Sequence, residues 1–382
     1  MADETAAMMT PARDILTASS CGYGCGCGCD DIGESSNAAN SDAAPAVRTG
    51  VVVCLDRGYP LVRLTTPDNS SPALEVRAQH AIDLVKNAEV RAAVGDIVEL
   101  ELPPGQDTPL ITRIQPRGPT LVRRSLVESQ HEGAGKHIEQ VLAANIDIVL
   151  VVMALSSRPP DLDYLERQLV LAHDSGAEAA VVLTKADQCR HPDRDLAAIA
   201  GCAGGDPVIA CSAVSGEGLE QIRALTGADR KAAATAASKH QQTTAAGAAS
   251  YRPLVAVLLG RSGVGKSTLV NELLGTPLLE VGEVRKKDKA GRHTTVARRM
   301  VFLSDGSALI DTPGLRSIGL FDAQLGLERA FPEISTLAAE CRYRDCAHTS
   351  EPGCAVIAAV EAGHIPLRRL QSYRQIATEV AG

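Results

Sequence analysis

Eight consecutive residues, Gly260, Arg261, Ser262, Gly263, Val264, Gly265, Lys266 and Ser267, fit the pattern G-x-x-x-x-G-K-[ST] and are followed by Thr268, between the apolar run PLVAVLLG and the helix-like LVNELLG. In that strand-to-helix setting the glycines bring backbone N–H groups against phosphates, Lys266 reaches the β and γ oxygens, and Ser267 ligates Mg²⁺. An ordinary glycine-rich turn has no use for the Lys-Ser pair. Upstream, LTKADQ offers Thr184, Lys185, Ala186 and Asp187 at the end of another strand-like run. A carboxylate there accepts both the N1–H and the N2–H₂ of guanine, and adenine has no such donor pair, so Asp187 selects GTP. The stem of Lys185 covers the base, although TKAD alone is also compatible with a solvated helix start. Downstream, ALIDTPG ends a strand in Asp311 and Gly314. The carboxylate is placed to hold Mg²⁺ and the glycine to donate its N–H to a γ-phosphate. Between them AGRHTTVARR carries Thr294 and Thr295, candidates to complete the Mg²⁺ ligands from a switch loop.

A different chemistry is written in CRYRDCAHTSEPGC, where Cys341, Cys346, His348 and Cys354 lie within 14 residues. Three thiolates and an imidazole suit a closed, tetrahedral structural zinc site with no position left for water. Buried cysteines beside a satisfied histidine are the plain alternative.

These residues need elements to position them. From 146 to 213 apolar strand-like runs (IDIVLVVMAL, EAAVVLTKAD, PVIACSAVSG) alternate with a helix over 162–173. That is the βαβ pattern of a parallel sheet covered by helices. RMVFL and ALIDTPG, joined through Asp305-Gly306, read as a hairpin. Residues 50–55, 60–65, 96–102 and 109–114 are short strand-like runs broken by Gly, Pro and Asp, which predicts a small barrel or sandwich. An oligonucleotide-binding type of barrel is one candidate, but Tyr59 is the single aromatic there to stack on a base. Residues 227–250, rich in Ala, Thr, Ser and Gln, read as a linker. The segment from 320 onward reads as helices around the Cys/His knot.

The chain has 382 residues and a formal charge of −8. Seven acids against one base in residues 1–45 account for most of that charge, so the body is near neutral and local basic clusters can face RNA. The first 46 residues read as a disordered acidic tail containing CGYGCGCGC, whose Cys21, Cys25, Cys27 and Cys29 lack the spacing of a standard zinc knuckle. The longest apolar run, 148–155, has eight residues, far short of the roughly 20 that span a bilayer. With neither a basic start nor an apolar stretch at its N-terminus, the chain is expected to be cytoplasmic, its 11 cysteines reduced or metal-bound.

Together with Ser212 and Ala213 of CSAVSGEGL, the nucleotide-type segments resemble the signature set of Ras-like GTPases, but in the order four, five, one, two, three. A circular permutation gives that order without changing the sheet. The permuted order, the N-terminal β segment and the Cys/His run together resemble the bacterial ribosome small subunit-dependent GTPase A family. The resemblance covers roughly residue 47 to the end. It implies an α/β fold: an OB-like β-barrel over 47–118, a circularly permuted Ras-like P-loop GTPase domain over 119–318, and a helical zinc-binding domain over 319–382. It further implies one Cys₃His zinc, Mg²⁺ with GTP, no membrane, and a monomer acting on the small ribosomal subunit and its rRNA late in maturation, released on hydrolysis. Thr184 stands where many GTPases carry Asn, which is expected to weaken the tie between the base loop and the glycine loop. Val296 interrupts the family's threonine run, and the linker is longer than the junction requires.

Leu315 follows DTPG where Ras-type enzymes place the glutamine that orients water. Intrinsic turnover is therefore expected to be slow. His293 is the candidate to orient the water, its alternative being a partner contact, with Lys266 neutralising charge on the γ-phosphate. Residues 285–299 hold seven bases against one acid, enough to contact RNA phosphates or simply to remain solvated. Two other functions stay open: a GTP-dependent RNA- or protein-binding scaffold with negligible turnover, favoured by Leu315, and a P-loop ATPase or small-molecule kinase, opposed by TKAD and CSA.

Overall fold

The structure, a computed structural model, describes residues 47–56, 59–65, 74–88, 91–127, 136–156, 158–227, 253–278, 298–311 and 318–381. The chain divides into two compact units, Met1–Ala92 with Asp96–Pro116 and Ala93–Gly95 with Arg117–Gly382.

In the first unit, β1 (Arg48–Asp56), β2 (Tyr59–Leu64), β3 (Glu75–Arg77), β4 (Gln79–His80), β5 (Ile97–Glu101) and β6 (Leu110–Ile114) accompany one short helix, α1 (Ile82–Ala88). Pairings run β3-β2-β1-β5-β6-β4, antiparallel except for β4 with β6. The two end strands, β3 and β4, are separated in sequence by Ala78 alone, so the sheet has to curl until its edges meet. Alternation does the rest: β2 and β5 bury every second residue, which sends Val62, Leu64, Val98 and Leu100 into a core with Val52, Val76 and Ile111.

The second unit begins with an antiparallel ribbon, β7 (Thr120–Val127) with β8 (Lys136–Ala144). Its main sheet is built from β9 (Ile148–Ala154), β10 (Glu178–Thr184), β11 (Val208–Ala210), β12 (Val255–Leu259), β13 (Arg299–Phe302) and β14 (Ala308–Asp311). The order is β11-β10-β9-β12-β14-β13, all parallel except β13, which runs antiparallel to β14. The parallel strands are apolar on both faces, β12 buried throughout and β9 at all but its last residue, as a sheet covered by helices requires. Those helices are α2 (Leu162–Asp174), α3 (Pro192–Ala200), α4 (Leu219–Thr226) and α5 (Lys266–Leu274). The predicted β13–β14 hairpin forms: Gly306, at φ 82, turns the chain, and the Asp305 carboxylate accepts from the Ser307 amide at 2.9 Å.

This order is compatible with a circular permutation. Strand β12 follows β11 in sequence yet sits at the centre of the sheet, between β9 and β14. Of the expected linker 227–250, only Gly227 is among the described residues.

The C-terminal helices α6 (Gln324–Ala330), α7 (Pro332–Ala338), α8 (Ala355–Glu361) and α9 (Leu367–Ala381) belong to the second unit, with α6 and α9 packed on α2. Among the described residues no helix is long and apolar enough to cross a membrane.

Candidate functional site

The described segments singled out for nucleotide chemistry gather at one end of the main sheet, because each follows or ends at the carboxyl end of a parallel strand. Open α/β sheets place their ligands there, outside the strand ends. Strand β12 delivers the glycine loop, β10 the TKAD turn, β11 the Ser212-Ala213 turn and β14 Asp311. Asp311 pairs in register with Leu258, one residue before the end of β12, which sets it beside the loop entrance.

Glycines in the loop are dictated by close approach and by backbone sign. A Cβ on Gly260 would lie 2.4 Å from the Val152 carbonyl oxygen of the neighbouring strand. Gly265, at φ 100, directly precedes α5 and faces the Thr184 hydroxyl, where a Cβ would stand 3.3 Å away. The first helical hydrogen bond, Leu269 amide to Gly265 carbonyl at 2.9 Å, starts α5 at the loop's end. Its first-turn amides and dipole then point at the loop, which suits an anion. Lys266 sits over that mouth, donating to the carbonyls of Gly260 at 2.7 Å and Arg261 at 2.9 Å. Val264, Gly265, Lys266, Ser267 and Thr268 are half-buried, whereas Arg261, Ser262 and Gly263 are exposed.

The base-side turn is anchored on the loop by two side chains. Thr184 is buried, and its hydroxyl lies between the carbonyl oxygens of Val264 and Met153, the latter at 3.2 Å. The threonine therefore makes the tie that its replacement of asparagine was expected to weaken. Lys185 adopts φ 60 and donates to the Gly263 carbonyl at 2.9 Å, so its stem runs from one loop to the other. Ala186 and Asp187 form a 3₁₀ turn fixed by the Ala186 N–H, which donates a hydrogen bond to the Cys211 carbonyl at 3.1 Å. Fully buried, Ser212 donates its hydroxyl to Asp187 Oδ1 at 2.7 Å and accepts from the amides of Val214 and Ser215. Asp187 itself is exposed, its orientation set from below, and half-buried Ala213 borders the same turn. A carboxylate held at an open strand end by a buried hydroxyl is suited to pairing with a guanine edge.

The oxygen donors Ser267 and Asp311 flank the glycine loop and match the hard-oxygen preference of Mg²⁺. His293, Thr294, Thr295, Gly314 and Leu315 lie outside the described residues.

The second site is the Cys/His group. Ligand atoms of Cys341, Cys346, His348 and Cys354 all lie within 4.8 Å of one another. Cys341 Sγ is 3.8 Å from Cys354 Sγ and 3.6 Å from His348 Nδ1, which is 3.4 Å from Cys354 Sγ. Four ligands at about 2.3 Å from a central ion stand about 3.8 Å apart in a tetrahedron, so these separations fit a metal site. Burial pushes the His348 imidazole below its ordinary value, which favours the neutral form that ligates. His348 adopts φ 56, and Cys354 caps α8. The loop between them is organised by Glu351, whose carboxylate accepts from the amides of Thr349 at 2.7 Å, Ser350 at 3.0 Å and Ala347 at 3.0 Å. Those bonds, with its own amide foremost, hold the Glu351 pKa at about 2.

Sequence reasoning did not find Glu351, nor the surroundings of Arg261. The Arg261 guanidinium lies 4.0 Å from the Tyr164 ring centroid and 2.9 Å from an Asp161 oxygen. No local pattern marks such a contact between residues nearly a hundred apart.

The RsgA GTPase family profile matches residues 115–233 and 228–321. A Streptomyces coelicolor protein named small ribosomal subunit biogenesis GTPase RsgA is 40% identical over 342 residues, covering 88% of this chain and 81% of its own. A Methanosarcina acetivorans protein of the same name is 38% identical over 288 residues, covering 75% and 69%. Among solved structures, YjeQ from Thermotoga maritima superposes with a TM-score of 0.61 at 22% identity, covering 88% of this chain and 99% of that one. YloQ, described as a circularly permuted GTPase, gives 0.58 at 18% identity, covering 90% and 98%.

Proposed function

The chain belongs to the RsgA GTPase family, and from that premise we propose that it hydrolyses GTP in the service of small ribosomal subunit biogenesis. The observation that carries the reading is the convergence at one sheet end of Lys266 on the glycine loop and Asp187 held by Ser212. Phosphate and guanine chemistry are thereby joined through Thr184 and Lys185. We assign the phosphates to the loop 260–268 and the base to Thr184, Lys185, Ala186, Asp187, Ser212 and Ala213. Mg²⁺ would be held by Ser267 and Asp311 together with Thr294 or Thr295, and would supply charge neutralisation at the phosphates. The ammonium of Lys266 and the loop amides stabilise charge developing on the γ-phosphate, and the Gly314 amide adds a donor. His293 orients the attacking water, the task that Leu315 has no group to perform.

Zinc is the metal that best fits three thiolates and an imidazole at tetrahedral spacing, and its role there is structural. The curled sheet of the first unit is read as an OB-like barrel, and the domain limits as 47–118, 119–318 and 319–382. We read the protein as a cytoplasmic monomer, with the basic run 285–299 facing rRNA. Co-sedimentation with purified small subunits tests the partner. Retention with a non-hydrolysable GTP analogue and loss with GDP is expected; equal pelleting with both, or with neither, refutes nucleotide-controlled docking.

A further inference from the structure

Helix α2 carries two sets of contacts that the nucleotide chemistry does not use. At its start, Asp161 accepts from the Tyr164 amide at 3.1 Å as the helix cap and pairs with Arg261, the second residue of the glycine loop. The Tyr164 ring lies under the same guanidinium, so aromatic face and carboxylate grip it together. One turn further, the helix meets the metal-bearing module. Arg368 pairs with Asp163 at 2.8 Å and with Glu166 at 2.5 Å, and Arg369 pairs with Glu166 at 2.7 Å.

The second contact is buried and continues to the metal ligands. Glu166 is fully buried and Arg369 nearly so. Arg369 also pairs with Glu333 at 2.6 Å, donates to the Ala330 carbonyl at 2.6 Å and stacks 4.0 Å from the Phe331 ring. Phe331 packs edge-on against Tyr373, whose ring is 6.0 Å from that of His348. An unbroken series of contacts thus runs from the glycine loop along α2 to the Cys/His group. Beside Arg261 a cavity of about 510 Å³ is walled by Tyr164, Gln168 and Leu171, which leaves the guanidinium room to change position.

We propose that Asp161 and Tyr164 are positioning residues for the glycine loop, acting through Arg261, and that α2 couples nucleotide binding at that loop to the metal-bearing helices. The inference rests on reading 260–268 as the GTP phosphate loop. Energetic coupling requires both contacts to change their strength with the occupant of the site, since a ligand shifts an equilibrium only by its differential affinity for two states.

The test is a double-mutant cycle on the full chain, titrating fluorescent GDP and a non-hydrolysable GTP analogue. Tyr164→Leu is expected to weaken the analogue about fivefold or more, with a smaller effect on GDP, while Tyr164→Phe restores wild-type values because the ring face is retained. Arg368→Ala, whose partners are Asp163, Glu166 and Cys202, is expected to shift analogue affinity by a similar factor, and that shift disappears in the Tyr164→Leu background. Additive effects of the two substitutions, or either alone within twofold of wild type, overturn the proposal. Asp161→Asn, at an exposed position, repeats the test without touching the core should Tyr164→Leu fail to fold, with the same criteria. Failure of the wild-type chain to bind guanine nucleotides at all refutes the underlying site instead.

Discussion

Replacing Asp187 by Asn alters one atom at the guanine edge and leaves the scaffold in place. The Asn carbonyl still accepts from the Ser212 hydroxyl, now 2.7 Å from Oδ1, so the turn keeps its shape. What changes is the outward pair of atoms. A carboxylate accepts from N1–H and from N2–H₂, each such charge-assisted bond contributing about 1.5–3 kcal/mol. Asn retains one neutral acceptor and turns an NH₂ toward the guanine amine, where two donors meet. The loss is about 3–5 kcal/mol, or roughly two to three and a half orders of magnitude in affinity. Xanthine carries a carbonyl where guanine carries the amine, so the same NH₂ that repels GTP donates to XTP. Competition titrations with GTP, XTP and ATP against a fluorescent nucleotide measure all three at once. GTP is expected to fall by at least a hundredfold and XTP to become the preferred ligand. GTP binding within threefold of wild type, with no gain for XTP, refutes the placement of Asp187 on the base.

Cys346→Ser removes one of three thiolates, and elemental analysis of the purified variant is expected to show well under one equivalent of zinc where the wild type holds one. Glu351→Gln loses charge-assisted bonds to the amides of Thr349, Ser350 and Ala347, and is expected to weaken zinc about tenfold in chelator competition while leaving stoichiometry at saturation unchanged. Because the Glu351 carboxyl is held near 2, its protonation on unfolding lies above that value. Its contribution is complete above the ordinary carboxylate range and fades only as pH falls toward 2, so the difference between wild type and Glu351→Gln is expected to be constant from pH 6 to 8. Glu166→Gln removes the charge of one of the two carboxylates that pair with buried Arg369, Glu333 being the other, and is expected to lower unfolding free energy by about 1.5–3 kcal/mol in urea titration, without altering the guanine preference.

Features carried by short, contiguous chemistry were legible in the sequence. The glycine loop, the TKAD turn and the Cys/His run each need their residues side by side in the chain, and apolar runs of five to seven residues announced β9, β10 and β12. The Asp305-Gly306 turn announced the β13–β14 hairpin in the same way. What escaped was long-range or weakly patterned. The β7–β8 ribbon carries Arg123 and Arg124 mid-strand, which breaks its apolar alternation, and Arg124 is stabilised instead by Asp174 at 2.8 Å and Glu139 at 3.0 Å. The Glu166–Arg369 pair joins residues some two hundred apart, and nothing local distinguishes Glu166 from the solvated charges of an ordinary helix. Thr184 illustrates a third case: reading it as a weakened asparagine overlooked that its hydroxyl reaches the Val264 carbonyl unaided.

We propose that this chain is a GTPase whose turnover is governed by the small ribosomal subunit. Steady-state phosphate release from GTP, measured for the purified protein alone, with small subunits and with large subunits, tests it most directly. Slow intrinsic hydrolysis rising at least tenfold with small subunits alone is the predicted result. Equal rates under all three conditions would contradict it, leaving a guanine nucleotide site whose turnover answers to something other than the small subunit.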